Sequence, residues 1–296
     1  MTNRLLIVDG HAYAYRAFYA IRGLRSPAGV PTGAIYGFVK MLAKMRAAVK
    51  PTHLIVVWDG GLSAERTAVL PEYKAHRPEM PDDLKPQLDE IVGYLKAAGV
   101  ATFCGDGVEA DDYIACLARR AADAGMAVVI ASSDKDFMQL VSARVGLLNP
   151  GDKSETVWTD EQVRAKAGVR PAQIVDWLSL TGDSVDNIPG VPGVGPKTAA
   201  DLLNQFGSIA ELFRRLDEVK SERVRSALCD AADAVRRNLG LVRLRDDLPC
   251  DFSPADLVEK PADAGRLREL FAGWGFKGML AALESESPRE RQAALI

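Results

Sequence analysis

Residues 108–112 read Val-Glu-Ala-Asp-Asp, three carboxylates within four positions, directly ahead of apolar residues at helical spacing: Ala110, Ile114, Leu117, Ala118 and Ala121. A helix N-terminus accommodates one or two acids, because its free N–H groups and its dipole favour negative charge. Three crowded acids repel one another and raise each other's pKa unless a cation lies among them. Carboxylates from elsewhere that converge on this stretch would therefore define a fold and a site together.

The stretch is entered from Val100–Phe103, an apolar run that reads as a strand. The same grammar recurs outward from it. Leu5–Val8 ends in Asp9-Gly10, and His53–Trp58 ends in Asp59. Ala127–Ala131 leads through two serines to Asp134-Lys135-Asp136, and Val145–Leu148 follows. Helical spacing separates these runs at 13–19, 34–49 and 87–98. Strands alternating with helices predict an α/β fold with a central, mostly parallel, doubly wound sheet flanked by helices. Sites in such sheets form beyond the carboxyl ends of the strands, where Asp9, Asp59, Glu109, Asp111, Asp112, Asp134 and Asp136 fall. One aspartate after a strand is ordinary turn chemistry. Acids after four strands are not.

Residues 60–86 are polar and rich in Arg, Lys and Pro, too poor in apolar residues to form core, and read as a disordered insertion or a functional lid. From about 171 the pattern turns helical. A short helix at 173–180 precedes Asp183 and Asp186, then a glycine-rich hairpin at 188–195 and a helix at 197–206. This predicts an α/β core over 1–170, a helical unit over 171–284 with a helix-hairpin-helix at 173–206, and a polar tail at 285–296.

The 296 residues are 48% hydrophobic and 26% charged, and no run approaches the roughly 20 apolar residues that span a bilayer. No secretory signal is read at the N-terminus. Four dispersed cysteines without a CxxC pair read as buried reduced thiols rather than a zinc site. A cytoplasmic protein is the expectation. The net charge of −3 looks wrong for a nucleic-acid binder, but setting aside nine of the 40 acids as metal ligands leaves fewer acids than the 37 basic residues. Local charge has to be read instead.

Seven strand-end acids plus Asp183 and Asp186 make an oxygen-rich set with no His or Cys pattern beside it. Hard oxygen ligands suit Mg²⁺ or Mn²⁺. Nine are too many for one ion and suit two, the arrangement for in-line phosphodiester displacement with ions roughly 4 Å apart. The competing readings are a surface acidic patch and a Ca²⁺ site, although EF-hand spacing is missing. The 190–195 hairpin followed by Pro196, Lys197 and Thr198 nearly spells a P-loop, but Pro196 intervenes and no strand precedes it. Backbone N–H groups at the next helix start, with Lys197, suit a duplex phosphate; a plain helical turn competes. In the 60–86 segment, Arg66, Lys74, His76 and Arg77 interleave with Tyr73. Such a mixture suits a single strand tracked by its phosphates with base stacking, against a solvated loop. His11 and His53 have no paired ligand nearby; His11 could hydrogen-bond near the site, but a structural role is the preferred reading for both.

These motifs, in this order, resemble the 5′-nuclease family, which includes the N-terminal domain of bacterial DNA polymerase I, free-standing 5′-3′ exonucleases and flap endonucleases. The resemblance runs from about Leu5 to Leu283 and rests on VDGH at 8–11, PEYKAHRPEMPDDL at 71–84, VEADD at 108–112, SSDKDFMQL at 132–140 and GDSVDNIPGVPGVGPKTA at 182–199. It implies a PIN-like sheet with a helix–three-turn–helix subdomain and a structure-specific nuclease cutting DNA at single-strand/duplex junctions, in primer removal and repair. Asp9, Asp59, Glu109 and Asp111 look like the set around a first Mg²⁺ or Mn²⁺. Asp134, Asp136 and Asp186 look like the second set, with Asp111 between the two and Asp112 and Asp183 in outer or substrate-induced roles. By similarity, Tyr73, Lys74 and Arg77 form a helical arch, with Lys74 and Arg77 catalytic and Arg16 a nearby phosphate contact. Gly190, Gly193, Gly195, Lys197 and Thr198 would hold duplex backbone, with K⁺ on the hairpin carbonyls. A monomer acting on 5′-flap, nicked or junction DNA, with RNA–DNA hybrid as a further substrate, is implied.

The sequence departs from the family at Glu65, where relatives carry an aromatic, at Gly60-Gly61, and at Pro196, which replaces an often acidic residue where a helix start tolerates proline. Two other classes compete: a junction-DNA-binding protein without catalysis, and a PIN-like endoribonuclease, which lacks the arch and the glycine hairpin.

Overall fold

A computed structural model describes residues 3–150, 156–250 and 253–285. The polar tail expected at 285–296 lies, beyond Ser285, outside the described residues.

The chain runs β1 (Arg4–Asp9), α1 (Gly10–Ala20), α2 (Gly33–Val49), β2 (His53–Trp58), α3 (Ala64–Val69), α4 (Lys85–Ala97), β3 (Ala101–Cys104), α5 (Ala110–Asp123), β4 (Ala127–Ala131), β5 (Val145–Leu148) and β6 (Val157–Trp158). It continues through α6 (Asp160–Ala167), α7 (Ile174–Thr181), β7 (Gly182–Asp183), β8 (Ile188–Pro189), α8 (Pro196–Phe206), α9 (Ile209–Arg214), α10 (Glu222–Asp230), α11 (Ala232–Val242), α12 (Ala264–Trp274) and α13 (Lys277–Ser285). The main sheet has the order β3-β2-β1-β4-β5-β6. Its first five strands are parallel, and β6 joins the edge antiparallel. The mostly parallel sheet is as expected. The two-residue β6 was not legible as a strand, because two residues carry no periodicity.

Side chains alternate along each strand between the two faces. Leu5, Ile7, Ile55, Val57, Val128 and Ile130 face a core with α5, α7, α8 and α11. Leu6, Val8, Leu54, Val56, Val129 and Ala131 face a second core with α2, α4 and α12. Both faces are covered, so the strands read as continuous apolar runs.

In several places the structure differs from what the sequence suggests. The helices that follow residue 171 are shared between the two faces of the sheet. Leu267, Leu270, Phe271 and Trp274 of α12 join the core of α2 and α4. The main chain is tied back there by Lys260 N–H to the Gly99 carbonyl at 2.9 Å and Asp263 N–H to that of Ala97 at 2.8 Å. The 60–86 segment is neither disordered nor free of core residues. It contains α3 and a run of turns, and Leu70 and Tyr73 are buried in the first core. With Leu84, fully buried against α1 and α2, these are three apolar anchors that dock a polar segment, although average composition hides them. Of the four cysteines expected to be buried, Cys104 and Cys229 are exposed.

Candidate metal centre

The chain leaves β1 for β2 on one side and later returns to place β4 on the other, so strand order reverses between β1 and β4. A crevice opens there beyond the carboxyl ends of the strands. Asp9 ends β1, and Asp134 follows β4. Asp9 caps α1, its Oδ1 accepting from Ala12 N–H at 3.0 Å. Its Oδ2 accepts from the Ser132 hydroxyl at 2.7 Å, and that same hydroxyl accepts the Asp134 N–H at 3.1 Å. Asp134 in turn caps the 3-10 turn Lys135–Leu140 by accepting from Asp136 N–H at 2.9 Å. Ser132 thus couples the two strand ends. The sequence reading passed over it, although a hydroxyl between a strand and two aspartates is a usable signal.

The carboxylates crowd one another. Burial, with repulsion from Asp134 and Asp59 against the relief of its hydrogen bonds, pushes Asp9 up to about 6. Burial first, then the neighbouring acids, raises Asp111 and Asp136 well above the ordinary carboxylate range; Asp134 rises for the same leading reason. Carboxylate oxygens of Asp136, Asp183 and Asp186 lie within 4.8 Å of one another. Asp59 sits at the rim, its N–H donating to His11 Nδ1 at 3.1 Å and its Oδ1 accepting from Gly61 N–H at 3.4 Å. Burial lowers the His11 pKa, and the ring rests edge-on against Trp58, so His11 both packs on β2 and hydrogen-bonds at the rim of the site.

Asp183 and Asp186 reach the site through a small antiparallel hairpin, β7–β8. Gly182 has φ +71°, and a Cβ on it would lie 2.3 Å from the Gly190 nitrogen. Only glycine satisfies that approach. Gly60 is similar: a Cβ would lie 1.9 Å from the Gly105 carbonyl oxygen, which explains one half of the Gly60-Gly61 pair.

The turns at 71–76 lie against this hairpin. Lys74 N–H donates to the Asp186 carbonyl at 3.0 Å, and Asn187 Nδ2 donates to that of Glu72 at 2.9 Å. The Tyr73 hydroxyl is 3.3 Å from both Glu109 Oε1 and Asp186 Oδ2. Lys74 Nζ is bonded to Glu109 and lies 3.8 Å from Asp186 and 4.0 Å from Asp111. Arg77 pairs with Asp186 at 2.8 Å, and Lys135, to which the sequence assigned no role, pairs with Asp183 at 3.2 Å.

Three residues stand differently from the sequence reading. Arg66, expected on DNA, is buried; it ion-pairs with Glu109 and Asp112 and donates to the carbonyls of Leu241 and Arg243. Asp112, expected as an outer metal ligand, gives both oxygens to Arg66 at 2.7 Å. Residue type alone could not tell these two from solvent-facing ones. Tyr73, expected to stack on a base, is only 4% exposed, its ring in the core. Arg16 remains exposed on α1.

Beyond β8, Val191 and Val194 are buried while Gly193, Gly195, Pro196 and Lys197 face solvent and Thr198 is partly exposed. Pro196 opens α8 as its first residue, and its carbonyl accepts from Trp177 Nε1 at 3.0 Å. The Arg223 guanidinium, unremarked in the sequence, stands 3.5 Å from where a Gly193 Cβ would be.

The class defined by this architecture is an α/β protein with a convergent, all-carboxylate centre at a sheet switch point. Two family models match: "5'-3' exonuclease, N-terminal resolvase-like domain" over residues 4–168 and "5'-3' exonuclease, C-terminal SAM fold" over 169–265. The 5'-3' exonuclease of Aquifex aeolicus is 38% identical across 98% of this chain and 99% of its own. DNA polymerase I of Bacillus caldotenax is 37% identical over 99% of this chain but only 34% of its own. The chain therefore spans about a third of the length of that polymerase. In fold it is similar to the bacteriophage T5 flap endonuclease in a complex with DNA and metal ions (TM-score 0.67, 21% identity, 99% of both chains). It is also similar to the catalytic core of Rad2 in complex with DNA substrate (TM-score 0.66, 18% identity, 100% of this chain and 93% of that one). The chain belongs to the 5′-3′ exonuclease family.

Proposed function

We propose that this protein is a divalent-metal-dependent, structure-specific 5′ nuclease that hydrolyses DNA phosphodiesters near single-strand/duplex junctions, leaving a 5′-phosphate and a 3′-hydroxyl. One observation carries the reading: carboxylates from four strand exits and the β7–β8 hairpin converge at the sheet's switch point with no nitrogen or sulfur donor in the set. A buried, mutually repelling group of oxygens fits hard divalent cations such as Mg²⁺ or Mn²⁺.

Asp9, Asp59, Glu109 and Asp111 would hold one ion, and Asp134, Asp136 and Asp186 a second, with Asp183 beside them. Such ions supply Lewis acidity and positive charge at the attacked phosphorus. Lys74 and Arg77, both paired with carboxylates of the centre, would orient the scissile phosphate and offset its developing charge. Lys197 and the exposed turn at 193–197 suit a duplex backbone contact at a helix start, extended by Arg223. A K⁺ on the hairpin carbonyls, activity on RNA–DNA hybrid, a monomeric state, a cytoplasmic setting and a role in primer removal and repair belong to the same reading. No helix among the described residues is long and apolar enough to cross a membrane.

The test is cleavage of a 5′-flap duplex labelled at the flap end, with Mg²⁺ and with EDTA. A Mg²⁺-dependent flap-length product supports endonucleolytic action, and mononucleotides support trimming. Intact junction binding without cleavage in any divalent ion overturns the reading in favour of a binding protein.

A further inference from the structure

Arg66 has five N–H donors, and all five are used. Nε donates to the Leu241 carbonyl at 3.0 Å, one terminal nitrogen to Glu109 and to Asp112, and the other to Asp112 at 2.7 Å and the Arg243 carbonyl at 2.9 Å. The residue is 6% exposed. Its partners come from two places besides its own helix α3: the N-terminus of α5, which carries Glu109, and the C-terminal end of α11. Asp112 is held from the other side as well, by Arg245 N–H at 2.9 Å, while the Arg245 guanidinium reaches Glu65 at 2.8 Å. Glu65, the departure from the family pattern, thus closes the same network.

We propose that Arg66 is a positioning residue. It fixes the Glu109 carboxylate toward the metal centre, takes up the charge of Asp112 so that this acid stays out of the centre, and fastens the arch base to α11. A phosphate could reach the guanidinium only by breaking several charge-assisted bonds. A buried fork bonded bidentately to one carboxylate and singly to another holds angles as well as distances, and lysine cannot reproduce it. The inference rests on the proposed metal-dependent function, and its test separates the two.

Mn²⁺ binding is measured by titration calorimetry on the full chain as wild type, Arg66→Lys, Asp112→Asn and Asp111→Asn. Junction-DNA affinity in EDTA and thermal melting accompany each. Arg66→Lys is expected to bind Mn²⁺ about 10–100-fold more weakly, the usual range for residues that orient ligands, with junction affinity unchanged. Asp112→Asn is expected to keep the wild-type number of bound ions, whereas Asp111→Asn loses affinity or an ion. Unaltered Mn²⁺ affinity in a folded but less stable Arg66→Lys overturns the proposal, leaving Arg66 a purely structural brace. Loss of an ion in Asp112→Asn, comparable to Asp111→Asn, also overturns it, even if Arg66→Lys fails to fold. A wild type that binds no Mn²⁺ removes the functional reading itself.

Discussion

The Ser132 hydroxyl donates to Asp9 at 2.7 Å and accepts the Asp134 N–H at 3.1 Å, so one side chain joins the exits of the two strands between which the sheet reverses its order. Ser132 is fully buried. Replacing it with alanine leaves an Asp9 oxygen without its donor, at a cost of about 1–3 kcal/mol. Ser132→Ala is expected to shift the urea midpoint down and the Mg²⁺ dependence of cleavage to higher concentration. No change in either would remove Ser132 from the site's support.

Asp134→Asn removes one anionic ligand of the proposed second ion while preserving size. It is expected to bind junction DNA as wild type does and to lose cleavage. Wild-type-level cutting by this variant would falsify the assignment of two ions.

Lys74 is 5% exposed, with three carboxylates within 4.0 Å of its Nζ. Breaking a buried ion pair by removing one partner costs about 3–5 kcal/mol. Lys74→Met is therefore expected to melt several degrees lower in EDTA, with part of the deficit recovered in excess Mg²⁺. An equal deficit in both media would mean that the lysine does not compensate those carboxylates.

The raised acids give the metal-free protein a defined pH response. Asp9 moves from 3.8 to about 6, so the folded state binds more protons than the unfolded chain between those values. Stability from this group is complete below pH about 4 and is lost as pH rises through about 6. Melting in EDTA across that window should show a steeper decline in wild type than in Asp9→Asn, which keeps only the contribution of the other raised acids. Identical pH profiles for the two proteins would refute the raised value.

Two glycines separate folding from binding. Gly182→Ala places a Cβ 2.3 Å from a backbone nitrogen at positive φ; strain of this kind costs about 1–3 kcal/mol and displaces Asp183, so stability and cleavage should both fall. Gly195 has nothing within 4 Å of its Cβ position. Gly195→Ala should melt as wild type and lower duplex affinity alone. Unchanged duplex affinity would argue against the hairpin as the backbone contact.

The parallel sheet is legible in the sequence, because strands covered on both faces must be continuously apolar, and Leu5–Val8, Leu54–Trp58 and Ala127–Ala131 are. The sequence by itself also determined that Asp9, Asp111, Asp134 and Asp136 converge, because acids following parallel strands all emerge at one edge. Tertiary structure alone decided which neighbouring charges face the centre. Asp111 and Asp112 are adjacent in sequence, yet on a helix adjacent residues point about 100° apart, and Asp112 meets Arg66 while Asp111 lies among the acids. It alone decided that Tyr73 turns inward and that α12 crosses to the opposite face of the sheet, since both depend on packing between segments far apart in the chain. Local pattern records whether a side chain prefers water. It does not record which partner, brought from a hundred residues away, makes burying a charge affordable.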